Sequence, residues 1–135
     1  VDISGLPSLE EFKEFNGLYT NLNTSANTNL KILSLTSTPI AALNLTLNSK
    51  LENLTVAQGM LTSLNLSNNL DLKTLSVTGN KIVNLDVSNN TKLTEMNTTS
   101  NYNLDIIYVW DVAYAESNSS FSKDQHCEYR LKAQN

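Results

Sequence analysis

The side chains able to do covalent or acid–base chemistry are few. The one histidine, His126, and the one cysteine, Cys127, are neighbours in "SKDQHCEYR". On a strand, adjacent side chains point to opposite faces, so these two do not form a dyad with each other. The pattern is one buried cysteine beside one surface histidine. Ser and Thr abound, but a nucleophilic hydroxyl needs a base within reach. Paired carboxylates for acid–base work are missing, as is a Cys/His/Asp/Glu cluster at metal-ligand spacing. Glu10, Glu11 and Glu14 read as negative charge in the first turns of a helix, where it is favourable. No catalytic residue, metal or cofactor is expected, and the chain is not expected to be an enzyme.

Binding chemistry has more material. Tyr102, Tyr108, Trp110 and Tyr114 gather near the C-terminal end. Tyr108 and Trp110 flank Val109 and are expected to share a face, where two rings could stack on a sugar or anchor a partner. Packing against a C-terminal cap is the competing role for them. Small polar residues also recur in rows: Ser34, Thr55, Ser76, Asn97; Thr36, Ala57, Thr78, Thr99; Asn44, Asn65, Asp86; and Thr46, Ser67, Ser88. Tyr108, Trp110, Tyr114, Ser76, Thr78 and Asp86 are therefore the candidate ligand-binding residues. Asp86, alone on its face, reads equally as a solvated carboxylate. The N-x-S/T triplets, such as Asn53–Thr55 and Asn97–Thr99, follow from the Asn/Ser/Thr-rich composition.

The elements that must carry these rows are set by an internal repeat. Leu9, Leu30, Leu51, Leu72 and Leu93 lie 21 residues apart, and Phe12, Leu33, Leu54, Leu75 and Met96 keep the same spacing. A second set interleaves: Ile40, Leu61, Ile82; Leu43, Leu64, Leu85; Leu45, Leu66, Val87. Each unit is thus two LxxLxL halves. The last two apolar residues of a half have the period of a strand with one face buried. The first sits where the chain turns a corner. Two halves close one coil, coils stack about 4.8 Å apart as parallel strands, and only stacking buries the leucines. Asn27, Asn48, Asn69 and Asn90 recur just after the second strand, with Gly17, Thr38, Gly59, Asn80 and Asn101 in the equivalent first-half places. A short amide at a corner can satisfy turn backbone groups and tolerates left-handed backbone. Stacked, such residues can form a ladder.

This pattern resembles the leucine-rich repeat family, and within it the bacterial 21-residue class with nested LxxLxLxxNx halves. The match is cleanest over residues 30–92 and reaches about 22–109. Thr38, Gly59 and Thr98 depart from it. The resemblance implies a mostly β solenoid of parallel strands, two short strands per 21-residue coil. It also implies a non-catalytic binding or adhesion module of an exported or surface-anchored bacterial protein, with a protein or glycan as ligand. A structural spacer within a longer surface protein is the alternative. The segment Ile107, Val109, Asp111, Tyr114 resembles the terminal segment of such proteins, though the cysteines often found there are reduced to Cys127.

A solenoid must close its two ends. "PSLEEFKEF" offers Ser8 and Glu11 as a capping box, and Glu14 stands where the repeat asks for an apolar residue. A short N-terminal capping helix over about 8–16 is expected, with Leu9, Phe12 and Phe15 as its apolar side. After residue 101 the phase slips by one, to Leu104, Ile107 and Val109. A strand near 106–110, an irregular loop near 115–124 and a final strand near 127–132 should form an irregular β cap. The expected division is an N-terminal cap over 1–21, repeat coils over 22–109 and a C-terminal cap over 110–135.

Composition limits the partners. Nine basic against thirteen acidic residues, a net charge of −4 and no Lys/Arg cluster argue against nucleic acid and anionic membrane. No apolar run is long enough to span a bilayer, and residues 1–12 lack the features of a signal peptide. A monomer at the cell surface or outside the cell is expected.

Overall fold

Alternating inward leucines and outward Ser, Thr and Asn are what a strand needs when one face is buried. The structure, a computed structural model that describes residues 1–133, turns that alternation into a solenoid. One sheet holds six parallel strands: β1 (Glu11–Phe15), β2 (Ile32–Thr36), β3 (Asn53–Ala57), β4 (Thr74–Ser76), β6 (Glu95–Asn97) and β8 (Phe121–Ser122). A second sheet holds β5 (Asn84–Asp86), β7 (Ile106–Val109) and β9 (Glu128–Leu131), also parallel. A short helix, α1 (Val112–Ser117), lies between β7 and β8.

The register follows the sequence period. Phe12, Leu33, Leu54, Leu75 and Met96 are successive partners, each 21 residues on. In the second sheet Leu85, Ile107 and Tyr129 are partners 22 apart, which is the one-residue slip seen after residue 101. From Met96 to Phe121 the step is 25, and α1 lies within that longer coil. Leu72, Leu75, Val77, Ile82, Leu85 and Val87 are all buried, as their columns require. Fully burying such a side chain contributes about 1.5–3 kcal/mol, and no single coil could do it alone.

Asparagine ladders fasten coil to coil. The Nδ2 of Asn48 donates to the carbonyls of Thr24 and Asn27, that of Asn69 to Leu45 and Asn48, and that of Asn90 to Leu66 and Asn69. On the other corner Asn80 donates to Val56 and Val77 while its Oδ1 accepts the Leu61 N–H. Gly59 is explained by this neighbour: a Cβ there would meet Asn80 Oδ1 at 2.7 Å. The left-handed turn sits one residue before the expected row. Asn16, Ser37, Gln58, Gly79 and Ser100 have φ between 54° and 73°, while Thr38, Asn80 and Asn101 fill the buried space behind it.

Three expectations need correction. There is no capping helix at residues 8–16: Glu11–Phe15 is strand β1, in register with β2. The hydrogen-bonding edge of β2 sets the conformation there, outweighing the local helix signals. Glu14 occupies the inward column opposite Leu35 and stays half-buried because that column opens to solvent at the sheet's end. Phe15 points away from the core and is 69% exposed. Second strands do not form in every coil; before β5 the second half of the repeat shows only an isolated bridge between Asn21 and Ala42. Leu45 and Leu66 are nevertheless buried, since inward packing does not require ladder hydrogen bonds. Lastly, residues 112–117, partly within the expected loop, form α1, capped by Asp111, whose carboxylate accepts the Tyr114 N–H. The final strand lies within its expected bounds, and residues 134–135 of the expected C-terminal cap lie outside the described residues.

Candidate functional site

The strongest convergence of polar groups is on the second sheet, at its C-terminal end. β5 and β7 put Asp86 beside Tyr108 in register, and β9 adds Arg130 beyond it. Lys132, just after β9, donates to Asp86 Oδ2 at 2.9 Å. The other carboxylate oxygen of Asp86 accepts the Ser88 N–H at 2.9 Å and its hydroxyl at 2.6 Å. Partial burial alone would raise the Asp86 pKa. The Ser88 and Lys132 contacts outweigh that and hold it below the ordinary carboxylate range, and Asp86 in turn raises Lys132. Leu64, Asn65, Asp86, Asn89, Tyr108 and Lys132 line a cavity of about 360 Å³.

The same face carries a related cavity of about 530 Å³ near the N-terminal end, lined by Leu22, Asn23, Leu43, Asn44, Thr46 and Leu47 among others. A repeated turn shapes both. Asn23, Asn44, Asn65 and Asp86 each accept, through Oδ1, the N–H two residues ahead, at 2.9–3.0 Å. Thr46, Ser67 and Ser88 add their hydroxyls at 2.6–2.7 Å. Several of the Asn-x-Ser/Thr triplets are therefore turn-forming units, in which Asn and Ser/Thr side chains bond local backbone.

The other candidates lie elsewhere. Trp110 and Tyr114 belong to the C-terminal cap: their ring centroids are 5.4 Å apart, and Phe121 stands edge-on to both at 6.4 and 5.7 Å. The Tyr114 hydroxyl donates to the Leu93 carbonyl at 3.0 Å. Trp110 thus pairs with the cap, and the aromatic pair expected from Tyr108 and Trp110 is replaced by packing around Phe121. The segment with Ile107, Val109, Asp111 and Tyr114 works as one closing unit: two core residues, a helix cap and a buttress on the preceding coil. Ser76 and Thr78 belong to the first-sheet side, where Ser76 is in register with Thr55 and Asn97, and Thr78 Oγ1 lies 3.3 Å from Thr99 Oγ1. The six candidates thus fall into three places, and only Asp86 and Tyr108 share a cleft.

Lys132 and Asp124 were not singled out by the sequence. Lys132 meets Asp86 across 46 residues, outside the repeat period. Asp124 accepts the N–H groups of Ser100 and Asn101 at 2.9 and 3.1 Å, closing the last left-handed corner; an acidic residue after the aromatic segment is its only signal. His126 and Cys127 lie just before β9 and not on it, in a turn that leaves one at the surface and the other buried. Cys127 is 2% exposed, and its thiol pKa is raised chiefly by burial. His126 lies at the surface, 3.7 Å from Asp105. No helix among the described residues is long and apolar enough to cross a membrane.

No protein-family model and no curated protein matches the sequence. Among solved structures the chain is similar to the functional domain of InlJ from Listeria monocytogenes, described as including a cysteine ladder. The TM-score is 0.75 at 20% identity, over 100% of this chain and 34% of that one. This chain, with one cysteine, carries no cysteine ladder of its own. At that identity the likeness is one of fold, and the chain spans about a third of that neighbour's length. The parallel register, the stacked leucine columns and this likeness together make the fold a leucine-rich-repeat-like β-solenoid.

Proposed function

We propose that the chain is a non-catalytic binding module of an exported or surface-anchored bacterial protein, of the 21-residue repeat class, and that its ligand seats on the second-sheet face at Asp86 and Tyr108. The observation that carries this reading is the cleft itself. An aromatic ring, a carboxylate and an ammonium meet over the buried Leu64, on a sheet whose strands β5, β7 and β9 are paired in parallel register. Rigid backbone under the contacting side chains lowers the ordering cost of binding. Ser76 and Thr78 offer a second, flatter surface, and Trp110 and Tyr114 support the cap. Capture of surface proteins or glycans by the isolated chain tests the reading: Tyr108→Ala should abolish capture, and capture unchanged by both Tyr108→Ala and Asp86→Ala would refute it.

A spacer role has one observation in its favour, the uniform 21-residue register from β1 to β6. Deleting residues 51–92 removes two whole coils in phase. A spacer keeps its function when so shortened, whereas a binder loses Asp86 itself together with the Leu64 and Asn65 wall of the cleft.

A further inference from the structure

We propose that the second-sheet face binds a neutral, extended β-1,4-linked glycan carrying N-acetyl groups, in two equivalent subsites two coils apart. The proposal rests on the binding-module reading and narrows its ligand.

The two cavities on this face are related by the repeat. Leu22, Asn23, Leu43 and Asn44 line the first. Leu64, Asn65, Leu85 and Asp86, each 42 residues later, line the second. Two coils separate them, about 9.6 Å at ordinary strand spacing. Each has leucines in its floor and a rim of side chains fixed by the repeated turn. Because Oδ1 of Asn23, Asn44 and Asn65 is held by the N–H two residues ahead, the amide plane is set. The three Nδ2 groups have no hydrogen-bond partner among the described residues, and all three residues are exposed. The face thus offers a column of preorganised, unused donors beside apolar patches. The one carboxylate in the column, Asp86, is neutralised by Lys132, so the face suits an uncharged ligand.

A polymer that fits must repeat its chemistry at the two-coil spacing. In a β-1,4-linked hexose chain each sugar is turned over relative to the last, so the same face recurs every second sugar. That disaccharide repeat matches two coils. An acetamido group supplies a methyl for the leucine floor and a carbonyl for an asparagine Nδ2, and Tyr108 can stack on a sugar ring. An extended peptide repeats its face every two residues, about 6.6–6.8 Å, out of step with the cavities. A polyproline-II peptide repeats at about 9.3 Å and keeps step, but its receptors use aromatic-lined grooves. Tyr108 is the single aromatic lining these two cavities.

Titration calorimetry and 15N NMR with chitohexaose, cellohexaose and decaproline test this. Chitohexaose should bind saturably, and more tightly than cellohexaose. Asn44→Asp and Asn65→Asp keep the turn acceptor, as Asp86 does naturally, and remove the donor. Each should weaken chitohexaose binding about two- to tenfold, the effect of one hydrogen bond, with unchanged circular dichroism. Lys81→Ala, at an exposed corner outside both cavities, should bind as the parent does. No chitohexaose binding, equal or better binding of cellohexaose or decaproline, or parental affinity in both asparagine variants would each overturn the proposal. If chitohexaose fails while surface capture still depends on Tyr108, only the glycan inference falls. If capture is also indifferent to Tyr108 and Asp86, the binding-site reading falls with it.

Discussion

The hydroxyl of Thr24 donates to Oδ1 of Asn48 at 2.7 Å, one coil on. Asn69 and Asn90 have no such donor, because Leu45 and Leu66 stand in the place of Thr24. Their Oδ1 atoms are buried and unpartnered. The ladder keeps these amides because Nδ2 satisfies two carbonyls per coil, while the leucine column gains apolar burial. Thr24→Val keeps the shape and removes the donor. It should cost about 1–3 kcal/mol, the usual price of an orphaned buried acceptor, read as a lower midpoint in urea. An unchanged midpoint would show that the Asn48 oxygen does not need Thr24.

The core columns predict a contrast between neighbours. Leu75→Ala and Leu85→Ala should each destabilise by about 2–5 kcal/mol, since both side chains are 1% exposed. Ser76→Ala, beside Leu75 on the outer face, should stay within about 0.5 kcal/mol. Thermal melts that ranked them in the opposite order would reverse the inward and outward assignment.

Acid stability should depend partly on Asp86. Its folded-state pKa lies below the ordinary value because the Ser88 and Lys132 contacts outweigh burial. Its contribution is therefore fully present above about pH 4, near the unfolded pKa, and is lost as pH falls through the folded value. Asp86→Asn keeps the turn to Ser88 and deletes the Lys132 pair. Because that pair is largely exposed, the loss at pH 7 should be under about 1 kcal/mol. The difference between variant and parent should shrink toward zero as pH falls through the folded-state value, in acid titrations followed by circular dichroism.

Glu14 guards the free edge of β1. It takes the inward place held by Leu35 one coil on, and a charged residue pointing inward on an edge strand discourages pairing with another chain. Glu14→Leu should raise the melting temperature, by about 0.5–2 kcal/mol of stability. The same change should also produce concentration-dependent association in sedimentation velocity. A variant that stays monomeric at every concentration would remove the guarding role.

Much of the solenoid was legible because its signal is periodic. Columns such as Leu33, Leu54 and Leu75 fixed the coil length, and the slip to Ile107 and Val109 announced the 22-residue register of the second sheet. What escaped was set by neighbours rather than by local pattern. Residues 11–15 carry helix-like capping signals, yet β2 templates them as strand. The left-handed corner passes through Asn16, Ser37, Gln58, Gly79 and Ser100, a column of four residue types, so no single type reveals it. Asp86 and Tyr108 were separate candidates in the sequence, and only the shifted register and the return of Lys132 bring them into one cleft. Tyr108 and Trp110 look alike at i and i+2, but β7 ends at Val109 and Trp110 turns into the cap.

If binding belongs to the second-sheet face, a ligand must perturb that face and leave the first sheet and the cap unchanged. Amide chemical-shift mapping of the 15N-labelled chain during a chitohexaose titration reads this out residue by residue. Shifts should concentrate at Asn44, Asn65, Asp86 and Tyr108 and saturate together with one affinity. Shifts confined to Ser34, Thr55, Ser76 and Thr78, or to the cap around Trp110 and Tyr114, would contradict it.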